Sequence, residues 1–267
     1  MSSFTLTQGA SPLLLSMPHV GTEIPAGLHG RYVSRALDVE DTDWHLARLY
    51  DFAGALGASV LQPRYSRYVI DLNRPPDDAP MYPGASNTEL CPTRFFTGDP
   101  LHVDGQAPDP EERQLRRATY WQPYHDALRA ELARIHAAHG FALLWDAHSI
   151  RAEIPWLFEG RLPDLNIGTA AGASAADSIA RAVAAAAGSH AGVSHVVNGR
   201  FKGGYITRHY GDPRGGVHAV QLEMCQCLYM SEAPPFGYDE ALASSVQPVV
   251  RDMVVAALDA CKALYGH

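Results

Sequence analysis

The chain has 267 residues, 46% hydrophobic and 19% charged, enough apolar content for a sizeable core in one domain. A formal net charge of −8 argues against a surface built for nucleic acid or an anionic membrane, but a local arginine cluster can still take a small acidic ligand. Four irregularly spaced cysteines make no disulfide framework, the N-terminus lacks the basic segment of a signal peptide, and no apolar run approaches the about 20 residues that span a bilayer. These features fit a reducing cytoplasm and leave the oligomeric state open.

Leu13 to Met17 is a short apolar run stopped by Pro18, a buried strand. Asp43 to Leu56 has helical spacing and ends at Gly57. Ser59 to Gln62 and Tyr68 to Leu72 read as two further strands. Residues 75–110 are rich in Pro, Gly, Asp and Thr, a long irregular excursion of the kind that usually serves a site. Glu111 to Ala138 is a long helical pattern that Pro123 should kink or split, closed by Gly140. Phe141 to Trp145 is a strongly apolar strand. Ala173 to Ala187 is an Ala-rich helix with Ser174 as its cap. Val193 to Val197 follows as a strand, then a Gly-rich stretch from Gly199 to Gly216. Val217 to Met224 is a buried strand, into which Cys225 and Cys227 extend, and Asp239 to Tyr265 is a terminal helix interrupted near Pro248.

Apolar strands alternating with helices predict an α/β fold, a single domain over 1–267 whose mixed, mostly parallel sheet carries helices on both faces. Ligands of such sheets bind at the carboxyl ends of the strands. Unusual polar residues fall there: His19, Asp146 with His148, and Glu223.

His19 follows a strand and precedes a Gly turn, so its ring can reach a metal. Asp146 stands two residues before His148, where a carboxylate can orient a ligating imidazole. Glu223 ends an apolar strand and is costly to bury unpaired. Asp41 or Asp43 can add a hard oxygen to two histidines, completing the three-ligand set of a catalytic zinc site, with Glu23 as a competitor. Arg67, Asn73 and Arg74 cluster around one short segment and suit a carboxylate, which arginine grips bidentately. Lys202, Thr207 and Arg208 supply donors from the Gly-rich stretch, which matches neither GxxxxGK[ST] nor GxGxxG. No GxSxG elbow is present.

Six segments in order, SMPHVGTEIP, DTDWHLARLYDFAGALGA, SRYVIDLNRPP, WDAHSI, FKGGYITRHYG and GVHAVQLEMCQCLYM, resemble the N-formylglutamate deformylase (N-formylglutamate amidohydrolase) family along most of the chain. The resemblance implies a metal-dependent hydrolase that releases formate and glutamate late in histidine degradation. That family is distantly similar to zinc carboxypeptidases and aspartoacylase, which implies a zinc-carboxypeptidase-like (phosphorylase/hydrolase-like) fold. It further implies His19 and His148 as ligands, Glu223 as general base and acid, and Asn73 with Arg74 as carboxylate binders. Those relatives carry a Glu three positions after the first His, where this chain has Thr22, so Asp43 is the expected carboxylate ligand, with Asp41 and Glu23 as alternatives. Leu165 to Thr169 resembles a family strand and loop with altered polar residues.

The expected reaction is attack of metal-bound water on the formyl carbon, with Glu223 passing the proton to the departing nitrogen and Arg67, Arg74 and Arg208 holding the substrate carboxylates. One divalent ion is expected, zinc first, with cobalt, manganese or iron as alternatives. The partner is a small acidic N-acyl amino acid, with no nucleic acid and no membrane. The competing readings are a related amidohydrolase or carboxypeptidase acting on another N-acyl amino acid or peptide, and a catalytically silent metal- or ligand-binding protein.

Overall fold

The computed structural model describes residues 2–81 and 87–266. Seven strands form one sheet: β1 (Phe4–Thr7), β2 (Leu13–Ser16), β3 (Ser59–Pro63), β4 (Ala142–Ile150), β5 (Leu165–Gly168), β6 (His195–Val197) and β7 (Val217–Cys225), in the spatial order β1-β3-β2-β4-β7-β5-β6. The middle of the sheet is parallel: β3, β2, β4 and β7 all run the same way. β1 is antiparallel to β3, and β5 is antiparallel to β7 while parallel to β6, so the sheet is mixed and mostly parallel, as expected.

Side-chain alternation along the central strand sorts the two faces. Leu143, Trp145 and Ala147 pack with α4 (Asp177–Gly188) and α6 (Glu240–Leu264). Ala142 and Leu144 pack on the opposite face with Tyr124, Leu128 and Ile135 of α3 (Gln122–His139). Every residue of β4 is buried, which is why the strand reads as a continuous run and not as an alternating one. Beyond Leu144 the α3 face continues as Asp146 and His148, paired in register with Gln221 and Glu223 of β7. Helix α3 thus covers the amino-terminal half of this face, and polar residues take over at the carboxyl end.

Several elements differ from expectation. The helix over Asp43 to Leu56 is reduced to α1 (Leu46–Leu49) and one 3-10 turn, because His45 adopts a left-handed φ of 60°. Tyr68 to Leu72 is not a strand. The Ser66 hydroxyl accepts from Tyr68 N and the Asp71 carboxylate from Asn73 N, so local side-chain bonds draw the segment into turns. Helix α2 (Pro110–Arg116) continues through a π-turn at Arg117–Trp121 into α3, so Pro123 neither splits nor ends the pattern. The π-turn directly precedes Pro123, so the distortion expected there takes the form of a widened turn within one continuous helix.

Helix α4 starts at Asp177, four residues beyond the expected start at Ala173, and the Ser174 hydroxyl bonds Ala219 O and caps nothing. Pro248 lies inside an unbroken α6, whose face of Val246, Val249, Val250 and Met253 is buried on both sides of it. Packing outweighs the roughly 3 kcal/mol penalty of an interior proline. Helix α6 is long and apolar enough to cross a membrane by length and composition, but its apolar face is part of the core. Within the Gly-rich stretch a short helix, α5 (Tyr205–Tyr210), was not expected. Nor was the edge strand β1. Among the described residues, 75–110 holds no helix or strand before α2.

The start of α5 is packed against the loop after β3. A Cβ on Gly204 would lie 2.3 Å from Asn73 Nδ2, and Gly204 N donates to Gln221 Oε1 at 2.6 Å. Gly204→Ala should therefore cost about 1–3 kcal/mol by overpacking, measured by denaturant unfolding. Gly27→Ala, where nothing lies within 4 Å, should stay within about 0.5 kcal/mol.

Candidate metal centre and active site

Three loops at the carboxyl end of the sheet converge. His19 leaves β2, and its carbonyl accepts from Asp43 N at 3.0 Å, tying the 41–45 segment beneath it. His148 projects from β4, and the adjacent Ser149 N donates to Asp43 Oδ2 at 3.2 Å. The Nδ1 atoms of both rings lie beside the same carboxylate oxygen: Asp43 Oδ2 is 3.2 Å from His148 Nδ1 and 3.7 Å from His19 Nδ1. One donor atom from each of His19, Asp43 and His148 falls within 4.8 Å of the others, and all three residues are buried.

The opposite nitrogens face carboxylates. His19 Nε2 is 2.7 Å from Asp71 Oδ1, and His148 Nε2 is 3.2 Å from Asp146 Oδ2. Asp71 is itself fixed by Arg67 Nη2 at 2.6 Å and by Asn73 N, and Asp146 accepts from the Thr207 hydroxyl at 3.1 Å. For His19, donation of Nε2–H to Asp71 leaves Nδ1 unprotonated, the form a cation needs, whereas His148 Nε2 also meets the Asn73 amide N–H at 2.9 Å. The donor set therefore suits a divalent metal, and zinc in particular accepts two imidazoles and a carboxylate.

The charges agree with that fit. Burial opposes ionisation of Asp43 and Asp71, but the neighbouring histidines, with Arg67 beside Asp71, outweigh it and hold both carboxyls below the usual range. Burial would lower the pKa of His148, yet Asp146 and Asp43 raise it well above 6.5. Glu223 is pushed up to about 8 by burial, a shift that His148 and Arg67 offset only in part. In the metal-free protein, protons on His148 and Glu223 thus supply the neutralisation that a cation would provide.

The cavity over this centre is lined by His19, His148 and Glu223 on one side and by Arg67, Arg74 and Arg200 on others. Arg67 Nη1 lies 3.3 Å from His19 Nδ1, and its guanidinium stacks 4.6 Å from the centroid of Phe96. Arg74 is held by three neutral oxygens, Thr88 O, Thr88 Oγ1 and Asn73 O. Asn73 also lines the cavity, but its amide is engaged at both ends, with His148 Nε2 at 2.9 Å and Ile206 N at 2.8 Å, so it orients His148.

Other expected residues lie elsewhere. Asp41 bonds Arg151, Tyr68 and Phe96 N, and Glu23 pairs with Arg64 at the surface. Thr207 acts on Asp146, Lys202 is exposed, and Arg208 donates to Gly203 O and Met81 O outside the cavity lining. Asp71, Gln221 and Arg200 are among the site residues that escaped the sequence reading. Asp71 and Gln221 stand inside motifs already singled out, and the turn chemistry of Ser66 to Asn73 is the signal that would have found Asp71.

A family model described as N-formylglutamate amidohydrolase matches residues 11–230. The chain is 53% identical over 251 residues to an N-formylglutamate deformylase of Pseudomonas aeruginosa, covering 94% of each. It is 52% identical over 251 residues to an N-formylglutamate deformylase of Pseudomonas putida, again covering 94% of each. Among solved structures it is similar to an N-formylglutamate amidohydrolase from Ralstonia eutropha JMP134, with TM-score 0.81, 24% identity and 99% coverage of both chains. A gene product of Agrobacterium tumefaciens shares the fold at TM-score 0.72 and 17% identity, with 100% of this chain and 97% of that one covered.

The raised pKa values of Glu223 and His148 fix the sign of one pH effect. From the ordinary 4.5 of a glutamate up to about 8, folded Glu223 holds a proton that the unfolded chain has lost. The stability of the metal-free protein must then fall as pH rises through that window, and His148 adds to the fall above 6.5. Unfolding free energy measured against pH in the presence of chelator should show this slope, and Glu223→Gln should flatten it. Equal slopes in the two proteins would contradict the assignment.

Proposed function

The chain belongs to the N-formylglutamate amidohydrolase family, a family of amide hydrolases, and we propose that it hydrolyses N-formyl-L-glutamate to formate and L-glutamate with the help of one divalent metal ion. The observation that carries this reading is the convergence of His19, Asp43 and His148 beside Glu223 in a cavity walled by three arginines. The substrate is supported by the activity for which the two Pseudomonas relatives are named. A cytoplasmic place late in histidine degradation goes with that substrate, and the four free cysteines suit a reducing compartment.

His19, Asp43 and His148 would hold the ion, zinc first and cobalt, manganese or iron otherwise; when bound, it supplies Lewis-acid polarisation of the scissile carbonyl and a lowered pKa for water. Glu223 accepts the proton of the attacking water and returns it to the departing nitrogen, as general base and then general acid. Its burial keeps its basicity high enough for that task. Arg67, fixed by Asp71 and adjacent to His19, stabilises the charge that develops on the formyl oxygen. Arg74, whose fork is aligned by Thr88, takes a substrate carboxylate. Asp71, Asp146, Asn73 and Thr207 keep the two imidazoles in their working orientation.

Three measurements test this reading. Glu223→Gln should lower kcat for formate release by about 100- to 10,000-fold without changing metal content. Asp71→Asn should weaken metal affinity by about 10- to 100-fold in a chelator competition titration, while Asp41→Asn should leave it unchanged. The ratio of kcat/KM for N-formyl-L-glutamate over N-acetyl-L-glutamate should be about 10 to 200, the discrimination one extra methyl group allows. A preference for the acetyl compound or for a peptide would assign the site to a related amidohydrolase or carboxypeptidase, and a bound metal without turnover of any of them would assign it to a binding protein.

A further inference from the structure

The cavity wall carries more positive charge than the hydrolysis of an amide requires. Among the described residues Glu223 is the one acidic side chain lining it, with Arg67, Arg74 and Arg200, in a protein whose net charge is −8. The three arginines are not equivalent. Arg67 is committed to the reacting end: it is bonded to Asp71, lies 3.8 Å from Asp43 and 3.3 Å from His19. Arg74 is aligned by neutral oxygens and leaves its charge for one ligand carboxylate.

Arg200 comes from another part of the chain, the loop between β6 and α5. That loop is pinned at both ends. Asn198 holds a left-handed φ of 53°, donates its N–H to Ile167 O and accepts from Thr169 N and Ala171 N through its side chain. Gly204 is fixed by Gln221 and by its tight approach to Asn73. Between these anchors Arg200 donates to Leu157 O at 3.2 Å and reaches the cavity, while Lys202 turns to solvent. Arg208, on the far side of the loop, is turned onto Gly203 O.

We propose that Arg200 is the specificity-determining residue that binds the side-chain carboxylate of the N-acyl amino acid, so that the enzyme selects dicarboxylic over monocarboxylic substrates. The assignment rests on the amidohydrolase reading above. With Arg67 at the scissile group and Arg74 on the α-carboxylate, the second carboxylate of the substrate is the ligand suited to the third guanidinium lining the cavity. A pinned loop presents that guanidinium at a set distance, so it measures side-chain length as well as charge.

The test compares N-formyl-L-glutamate with its neutral isostere N-formyl-L-glutamine in the wild-type holoenzyme, Arg200→Met and Arg200→Lys. Arg200→Met should lower kcat/KM for the glutamate compound by roughly 10- to 150-fold, the worth of a charge-assisted hydrogen bond, mainly through KM. Turnover of the glutamine compound should change by less than about threefold, so the charge preference collapses. Arg200→Lys, which keeps the charge and loses the fork, should fall between. L-glutamate should inhibit the wild type more strongly than L-glutamine, and this difference should vanish in Arg200→Met. An equal loss on both substrates, or a charge preference that survives in Arg200→Met, would overturn the assignment while leaving the amidohydrolase reading intact. A wild-type enzyme that turns over neither compound would remove the reading beneath it.

Discussion

Buried negative charge is the constraint around which this protein is arranged. Asp43, Asp71, Asp146 and Glu223 are withdrawn from water within one site, and Arg67 is the buried guanidinium set among them. A carboxylate in such surroundings costs several kcal/mol unless it is paired. Protons on His148 and Glu223 relieve part of this in the metal-free protein, and a divalent ion between His19, Asp43 and His148 would relieve it more fully. The same cation would return Glu223 to its ionised form, the form able to take a proton from water. In the proposed reaction neutralisation and catalysis would be one electrostatic arrangement, to which the carboxylates behind the histidines belong as much as the donors in front.

The scaffold delivers these groups through strand register and tight loops. β4 and β7 run parallel with His148 opposite Glu223, so these two side chains rise from the same sheet face a strand apart. The turns from Ser66 to Asn73 bring Arg67, Asp71 and Asn73 to one point, whereas a regular strand would have strung them out along one face. The bond from Asp43 N to His19 O sets Asp43 beside His19 without any regular element. Irregular backbone is therefore placed where the site needs several polar groups in one small volume.

The sequence was most legible where burial is simplest. The strands at Leu13, Ser59, Phe141 and Val217 declared themselves as apolar runs, and the polar residues at their carboxyl ends identified the site face. The pairing of His19 with His148 came from the family resemblance, and residue type and order left the carboxylate open between Asp43, Asp41 and Glu23. What escaped was decided by side-chain bonds to backbone: the turns at Ser66 to Asn73, the left-handed His45 that cuts the helix after Asp43, and the helix Tyr205–Tyr210 hidden among glycines. Arg208 and Arg200 make the same point from opposite directions. Both stand in one Gly-rich stretch with similar neighbours, and the anchoring of the loop by Asn198 and Gly204, which no periodicity reveals, puts Arg200 in the cavity wall and Arg208 outside it.

The decisive measurement is formate release from N-formyl-L-glutamate by the purified protein, followed through chelation and re-addition of metal with metal content quantified at each stage. Turnover that disappears with about one equivalent of divalent ion and returns with it would establish a single metal held by His19, Asp43 and His148 as the centre of the reaction. Turnover that persists in protein stripped of metal would contradict it, and would leave the buried carboxylates without the cation their arrangement calls for.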